Sequence, residues 1–157
     1  YYKRWFEIEE VFGTSRKLDM DLEGDREMLK RYYEKTNPFS RIQVINNYGL
    51  LMFYCMGFMK ECVLYSEKYD AVVIAEQEGE CMHCYDIFCD EDKRMTDILR
   101  DAAGRGTKRV QLQFTPRNDE GFIVEEVQDD DNTLFVLNGK ENIYKTEKLC
   151  FPDISHT

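Results

Sequence analysis

The sequence predicts an α/β fold of the α+β kind, in which helices flank a mixed, largely antiparallel central sheet. Two observations predict it. Helical periodicity is found near the N-terminus and again after residue 94, whereas short apolar or alternating segments typical of strands dominate residues 41–137. Strands that follow one another through short turns favour antiparallel pairing, and helices are then needed to cover the sheet.

The chain of 157 residues has the length of one domain, 1–157, with a helical N-terminal part at 1–40 and a mixed sheet at 41–157. Its 43% hydrophobic and 13% aromatic content supports a packed core rather than a disordered chain. Because the sequence begins at Tyr1 and not at methionine, a further hypothesis is that it is a fragment of a longer two-half protein.

Two helices are predicted in the N-terminal part. Trp5, Ile8 and Phe12 recur at helical spacing and predict the first. The second begins at Asp25 and ends at Pro38, because proline cannot continue a helix. Three strands are predicted next, at residues 43–45, 50–56 and 62–65, with a turn at residues 46–49. The second of these strands is an almost continuous apolar run, as in strands covered on both faces.

The clearest predicted element is a hairpin of residues 71–76 and 81–88, whose four-residue connection contains a glycine. A short helix follows, because residues 95, 98, 99 and 102 place apolar side chains on one face. The strand at 109–114 alternates apolar and polar residues, and two more strands are predicted at 122–127 and 133–137.

The net charge of −10 disfavours nucleic acid and anionic membranes as partners, because a surface rich in carboxylates repels phosphate groups. No apolar run approaches the roughly 20 residues that span a bilayer, and no export signal precedes the first element. The six cysteines stand mostly in apolar surroundings and are expected to be reduced, buried thiols. These observations predict a soluble, cytoplasmic protein.

From about residue 41 onward, the order of elements resembles the GNAT (Gcn5-related) N-acetyltransferase superfamily, and above all its C-terminal part. Residues 69–76 and 81–88 resemble the central hairpin of that fold. The helix near Met95 and the strand at 110–114 resemble the helix and strand that follow it, and Gly121-Phe122 resembles the pair that commonly opens the next strand.

The resemblance implies acetyl-CoA as co-substrate, bound where two central strands separate. Its pantetheine arm would pair with the backbone of Ile87, Phe88 and Cys89, and its pyrophosphate would bind the amides that open the next helix. Residues 89–94 depart from the family pattern, because they carry three consecutive carboxylates where a glycine-rich loop is expected. The chain is then either the second half of a two-half protein, with an upstream GNAT half or a homodimer partner, or a divergent single domain.

The resemblance also implies a small-molecule or peptide amine as acceptor. An acidic cleft would suit such an amine, and Glu76 or Asp86 on the hairpin is the candidate catalytic base. The acidic runs at 90–92 and 129–131 are alternative sites for a cation or an amine, although charge runs in loops are usually solvated.

No metal site is predicted. Cys81 and Cys84 point to opposite faces of a strand and do not converge as zinc ligands do. A cysteine nucleophile would need His83 or His156 within reach, and is disfavoured. One aromatic cluster is predicted to pack in a core or an inter-domain face rather than to line a pocket: Phe53, Tyr54, Phe58, Tyr65 and Tyr69.

Three functional hypotheses follow. The first is an N-acetyltransferase that transfers an acetyl group from acetyl-CoA to an amine, or the C-terminal half of such an enzyme. The second is a non-catalytic GNAT-like module that shapes an acceptor site or mediates dimerisation. The third is an acidic protein-interaction domain.

Overall fold

One sheet organises the chain in the computed structural model, which describes residues 1–128, 137 and 139–155. Its seven strands in that described part are β1 (Tyr2–Glu7), β2 (Arg16–Lys17), β3 (Val63–Ser66), β4 (Ala71–Glu78), β5 (Cys81–Phe88), β6 (Arg109–Leu112) and β7 (Ile123–Glu126). They lie in the order β2-β3-β4-β5-β6-β1-β7. Every neighbouring pair is antiparallel except β5 and β6, which are parallel. The predicted mixed, largely antiparallel sheet is therefore confirmed.

Helices lie on both faces of this sheet. The described helices are α1 (Glu23–Tyr33), α2 (Tyr48–Met56), α3 (Met95–Ala102) and the single turn α4 (Ile143–Thr146), and a 3-10 turn follows at Asp153–Ser155. Helix α3 makes the crossover that joins the parallel strands β5 and β6. None of the helices in the described residues has the length and apolar character needed to cross a membrane.

Strand alternation divides the core into two layers. Val73 and Ala75 of β4 point to one face, where they pack with Leu99 of α3. Val72 and Ile74 point to the other face, into the cluster that α1 and α2 cover. These side chains are at least 95% buried, and each fully buried aliphatic side chain contributes roughly 1.5–3 kcal/mol.

The central hairpin is confirmed, and it is longer than predicted. Strand β4 continues to Glu78, so Gly79 and Glu80 form a two-residue connection. Gly79 has φ +56°, a conformation that glycine adopts without steric cost and that tight hairpins require. The predicted strand at 62–65, helix α3 and strands β6 and β7 are also found near their expected positions. Residues 133–136 of the last predicted strand lie outside the described residues, and Leu137 is not in a strand.

The first predicted helix is wrong, because residues 2–7 form strand β1 in the interior of the sheet. Trp5 is paired with Gln111 of β6 on one side and with Ile123 of β7 on the other. Arg4 is 3% exposed, and its guanidinium donates a hydrogen bond to the carbonyl of Lys148. These partners are more than a hundred residues away along the chain, so a local periodicity does not reveal them.

Two predicted strands are also wrong. Residues 50–56 belong to helix α2, because a short apolar run fits a helix packed on a sheet as well as a strand. Residues 43–45 belong to an irregular loop that wraps across the end of β5. The second predicted helix is confirmed as α1, although it ends at Tyr33, earlier than predicted.

Candidate functional site

A cavity of about 220 Å³ lies at the end of strand β5, between the C-terminal end of α1 and the loop that follows it. Its walls combine aromatic, aliphatic and acidic side chains. They include Tyr33, Glu34, Asn37, Gln43, Val44, Tyr85, Asp86, Phe88 and Phe114. We call this cavity the Asp86 pocket, because Asp86 is its one charged residue from the central strands. A mostly apolar pocket with a few polar groups is the usual form of a small-molecule site.

Asp86 is held by two hydrogen bonds. The side-chain amide of Asn37 donates to Asp86 Oδ1 at 2.7 Å, and the backbone N–H of Ile87 donates to the same oxygen at 3.0 Å. Burial raises the pKa of Asp86 to about 7, against the lowering effect of these two hydrogen bonds. The carboxyl group therefore exchanges its proton near neutral pH, which suits a general base and an ammonium ligand alike.

Tyr85 enters the pocket through an irregularity of the hairpin. Ile74 is paired with Asp86 and Ala75 with Cys84, so Tyr85 is an extra residue in β5. Such bulges re-aim a side chain and are frequent next to active sites. The hydroxyl of Tyr85 donates to Glu76 Oε2 at 3.1 Å. Burial and the neighbouring carboxylate raise the pKa of Tyr85, so its hydroxyl keeps its proton at neutral pH.

The structure does not bring the two candidate bases into one cavity. Glu76 is exposed and opposes His83 in the ladder. It lines a different cavity of about 370 Å³, together with Phe58 and Cys62. Asp86 lines the 220 Å³ pocket. Tyr85 also lines that pocket, and its hydroxyl is hydrogen-bonded to Glu76 at the other cavity. Of the two carboxylates, Asp86 has the shielded environment that acid–base chemistry requires.

Strands β5 and β6 separate beside this pocket. Their parallel ladder ends at Cys84 and Leu112, and the last bond runs from Gln113 N–H to the Cys84 carbonyl at 2.8 Å. The chain bends at residues 113, 114 and 117, and between these bends Pro116 forms an isolated antiparallel bridge with Ser40.

Residues 39–41 of the loop after α1 pair with the segment that follows β6. The N–H of Arg41 donates to the carbonyl of Thr115, and the N–H of Arg117 donates to the carbonyl of Phe39, both at 2.8 Å. The same loop reaches β5 through the bond from Asn37 to Asp86. The chain itself thus bridges the gap where the resemblance implies the acyl donor.

The described residues at this gap do not fit acetyl-CoA. Ile87, Phe88 and Cys89 are each at least 97% buried, and the Ile87 amide is engaged by Asp86. The exposed carboxylates of the loop before α3 form ion pairs with lysines: Asp90 with Lys35 at 3.0 Å and Asp92 with Lys93 at 3.3 Å. Arg94, the N-cap residue of α3, is 80% exposed and lies 3.9 Å from Asp97, and the carboxylates around it oppose a pyrophosphate.

The cysteine, histidine and acidic-run candidates do not form a binding or catalytic site among the described residues. Cys84 is buried in the core on the α3 side, and no group of three or more His, Cys, Asp or Glu side chains in the described residues could hold a metal ion. His156 and residues 129–131 lie outside the described residues. Phe53 of α2 and Phe58 after it are 65% and 75% exposed, so these two rings do not pack in the core of this chain, and the alternative of an inter-domain face stays a prediction.

Several pocket residues carry no functional signal in the sequence. Asn37 stands before the proline that ends the second predicted helix, and Tyr85 stands within a strand of the predicted hairpin. Tyr33, whose hydroxyl oxygen accepts a 2.8 Å bond from Asn47 N–H, was expected only on the apolar face of α1. The one available signal was the Asn-Pro pair after α1, because asparagine readily bonds to nearby backbone and to neighbouring side chains.

Comparisons of this chain with models of protein families, with curated proteins and with solved structures gave no match. The functional assignment therefore rests on the geometry of the Asp86 pocket.

Proposed function

We propose that this chain is the acceptor-binding half of a GNAT-type N-acetyltransferase, and that it binds a primary amine in the Asp86 pocket. The observation that carries the proposal is Asp86 itself: a partly buried carboxyl group on the central hairpin, at the wall of a pocket rich in aromatic rings. Aromatic faces and a carboxylate both attract an ammonium group.

The chemistry assigned to this chain is binding and deprotonation of the acceptor. The amine enters as its ammonium form, and Asp86 Oδ accepts first a hydrogen bond and then a proton from the nitrogen. The electrons of the broken N–H bond become the lone pair of the neutral amine, which is then free to attack a thioester carbonyl. A base with a pKa of about 7 takes this proton more readily than an ordinary aspartate does, by roughly a factor of a thousand.

In this proposal, the binding site for the acetyl donor lies in a second GNAT-like half. Acetyl-CoA supplies the acetyl group when it is bound there. No step is assigned to acetyl-CoA within this chain, because residues 39–41 bridge the gap between β5 and the segment after β6 and the loop before α3 is acidic.

The test is calorimetric titration of butylamine and of acetyl-CoA into the chain, separately, at about pH 8. We expect butylamine to bind the wild type in the millimolar range and to lose at least tenfold in affinity in Asp86→Asn. The matched control is Asp92→Asn, which removes an exposed carboxylate of the loop before α3 and leaves binding unchanged. Absence of butylamine binding, or equal binding by wild type and Asp86→Asn, overturns the proposal.

A complete transferase is a second candidate function, favoured by one specific observation. The parallel strands β5 and β6 are joined through α3 and separate directly after Cys84, which is where the resemblance implies the acyl donor. Residues 37–41 would then leave the gap when acetyl-CoA enters. Thermal stabilisation of the isolated chain by sub-millimolar acetyl-CoA would support this candidate over the acceptor-binding half, since a ligand of the folded state raises the melting temperature.

A further inference from the structure

We infer that the amine held by the Asp86 pocket is a short linear diamine, with one ammonium group at Asp86 and the other at Glu34. This inference rests on the proposed amine-binding function and names its substrate class. Both carboxylates line the same cavity, Asp86 from strand β5 and Glu34 from the end of helix α1. One is partly buried and the other is exposed, so the pocket has an inner and an outer acidic end.

The outer end is negative for two independent reasons. Glu34 is an acidic residue, and it directly follows helix α1. The C-terminal end of a helix carries a partial negative charge from its aligned peptide dipoles. Tyr33, the last residue of α1, also lines the cavity, so this helix end lies at the pocket wall.

The walls between the two ends suit a methylene chain. Ile42, Val44, Phe88 and Phe114 contribute apolar surface to the cavity. The volume of about 220 Å³ is below the roughly 300–1,000 Å³ of cavities that hold drug-sized ligands. A short unbranched chain fits such a space better than a ring system or a peptide does.

Positive charge is absent from the lining among the described residues. No lysine or arginine lines this cavity. Lys35, the next residue after Glu34, is engaged by Asp70 at 3.5 Å and by Asp90 at 3.0 Å. An amino acid would place its carboxylate beside Glu34 without a counter-charge, whereas a diamine places its second ammonium group there. Charge complementarity therefore selects the diamine.

The experiment compares diaminobutane with butylamine by calorimetric titration into the whole chain in low-salt buffer at about pH 8. The variants are Glu34→Gln, Asp86→Asn and the control Glu27→Gln, which changes an exposed glutamate of α1 that does not line the cavity. We expect wild type to bind diaminobutane about threefold to tenfold more tightly than butylamine, as a partly exposed ion pair allows. Glu34→Gln should abolish this preference and weaken diaminobutane binding more than butylamine binding, and Glu27→Gln should behave as wild type.

The outcomes separate this inference from the proposed function. Equal affinity for the two amines, or a preference for diaminobutane that survives in Glu34→Gln, overturns the diamine inference. Amine binding at Asp86 still stands in that case if Asp86→Asn loses the binding of both amines. Failure of wild type to bind either amine overturns the proposed function and the diamine together. A preference lost only in Glu34→Gln, with both amines lost in Asp86→Asn, supports both.

Discussion

The side-chain amide of Asn37 donates a 2.7 Å hydrogen bond to the carboxylate of Asp86. The carbonyl oxygen of the same side chain accepts hydrogen bonds from the backbone N–H groups of Phe39 and Ser40, at 3.0 and 3.2 Å. One side chain thus shapes the loop after α1 and fixes the charged group of the pocket.

Stability should depend on pH through Asp86. Its folded-state pKa is raised by burial to about 7 from an ordinary value of 3.8, so the folded protein binds the proton more tightly than the unfolded chain does. The resulting stabilisation is fully present below about pH 4 and is lost as the pH rises through about 7. In Asp86→Asn, the free energy of unfolding should gain roughly 4 kcal/mol relative to wild type between those two pH values. Urea denaturation across this range measures the difference, with Asp92→Asn as control. A difference that does not vary with pH would contradict the shifted titration.

Removal of the Asn37 side chain should destabilise the protein. Asn37→Ala deletes the donor to Asp86 and the acceptor for two backbone amides, and Asn37 is 4% exposed. A hydrogen bond to a charged group contributes about 1.5–3 kcal/mol, so we expect a loss of roughly 2–3 kcal/mol at about pH 8 and a smaller loss at about pH 5. Asn118→Ala is the control, because Asn118 also accepts a backbone N–H, from Glu120, but in an exposed turn. Equal losses for the two variants would show that the bond to Asp86 contributes little.

The buried carboxylate Asp101 should be a major structural contact of α3. It is fully buried, and it accepts hydrogen bonds from the backbone N–H and the hydroxyl of Thr14 and from the hydroxyl of Ser66. Asp101→Ala leaves these donors without a partner and should lower the free energy of unfolding by roughly 3 kcal/mol. Asp97→Ala, one turn earlier and more exposed, should cost less than about 1 kcal/mol. Chemical denaturation of both variants measures the contrast, and a small effect of Asp101→Ala would disprove this role.

The thiols should be almost inert in the folded protein. Burial raises the pKa of Cys55, Cys89 and Cys150 to about 12 and also raises that of Cys62, Cys81 and Cys84. Because the thiolate is the reactive form, a disulfide reagent at about pH 8 should modify Cys81 slowly, since it is the one thiol of intermediate exposure, and Cys62 at the wall of the 370 Å³ cavity more slowly still. All six thiols should react in denaturant. Rapid modification of two or more thiols in the native protein would contradict the described packing.

The elements that could be predicted from the sequence are those whose signals are local. The hairpin of β4 and β5 carries its own turn glycine, and α3 carries an apolar stripe that faces the sheet. Strand β1 could not be predicted, because its partners in β6 and β7 are distant along the chain. Helix α2 could not be distinguished from a strand, because the short apolar run at residues 50–56 suits either kind of buried element.

For the site, the sequence by itself determined that carboxyl groups stand on the central hairpin, whose apolar strands belong to the core of the sheet. Only the tertiary structure decided which carboxylate is shielded. A loop that folds back across β5 gives Asp86 its pocket and buries it, and this burial raises its pKa. The same loop supplies its hydrogen-bond partner Asn37, which lies 49 residues earlier in the chain. Glu76, on the same hairpin, remains exposed. The reason is physical: burial and electrostatic environment are properties of what surrounds a group in space, and loop closure brings those surroundings from elsewhere in the chain.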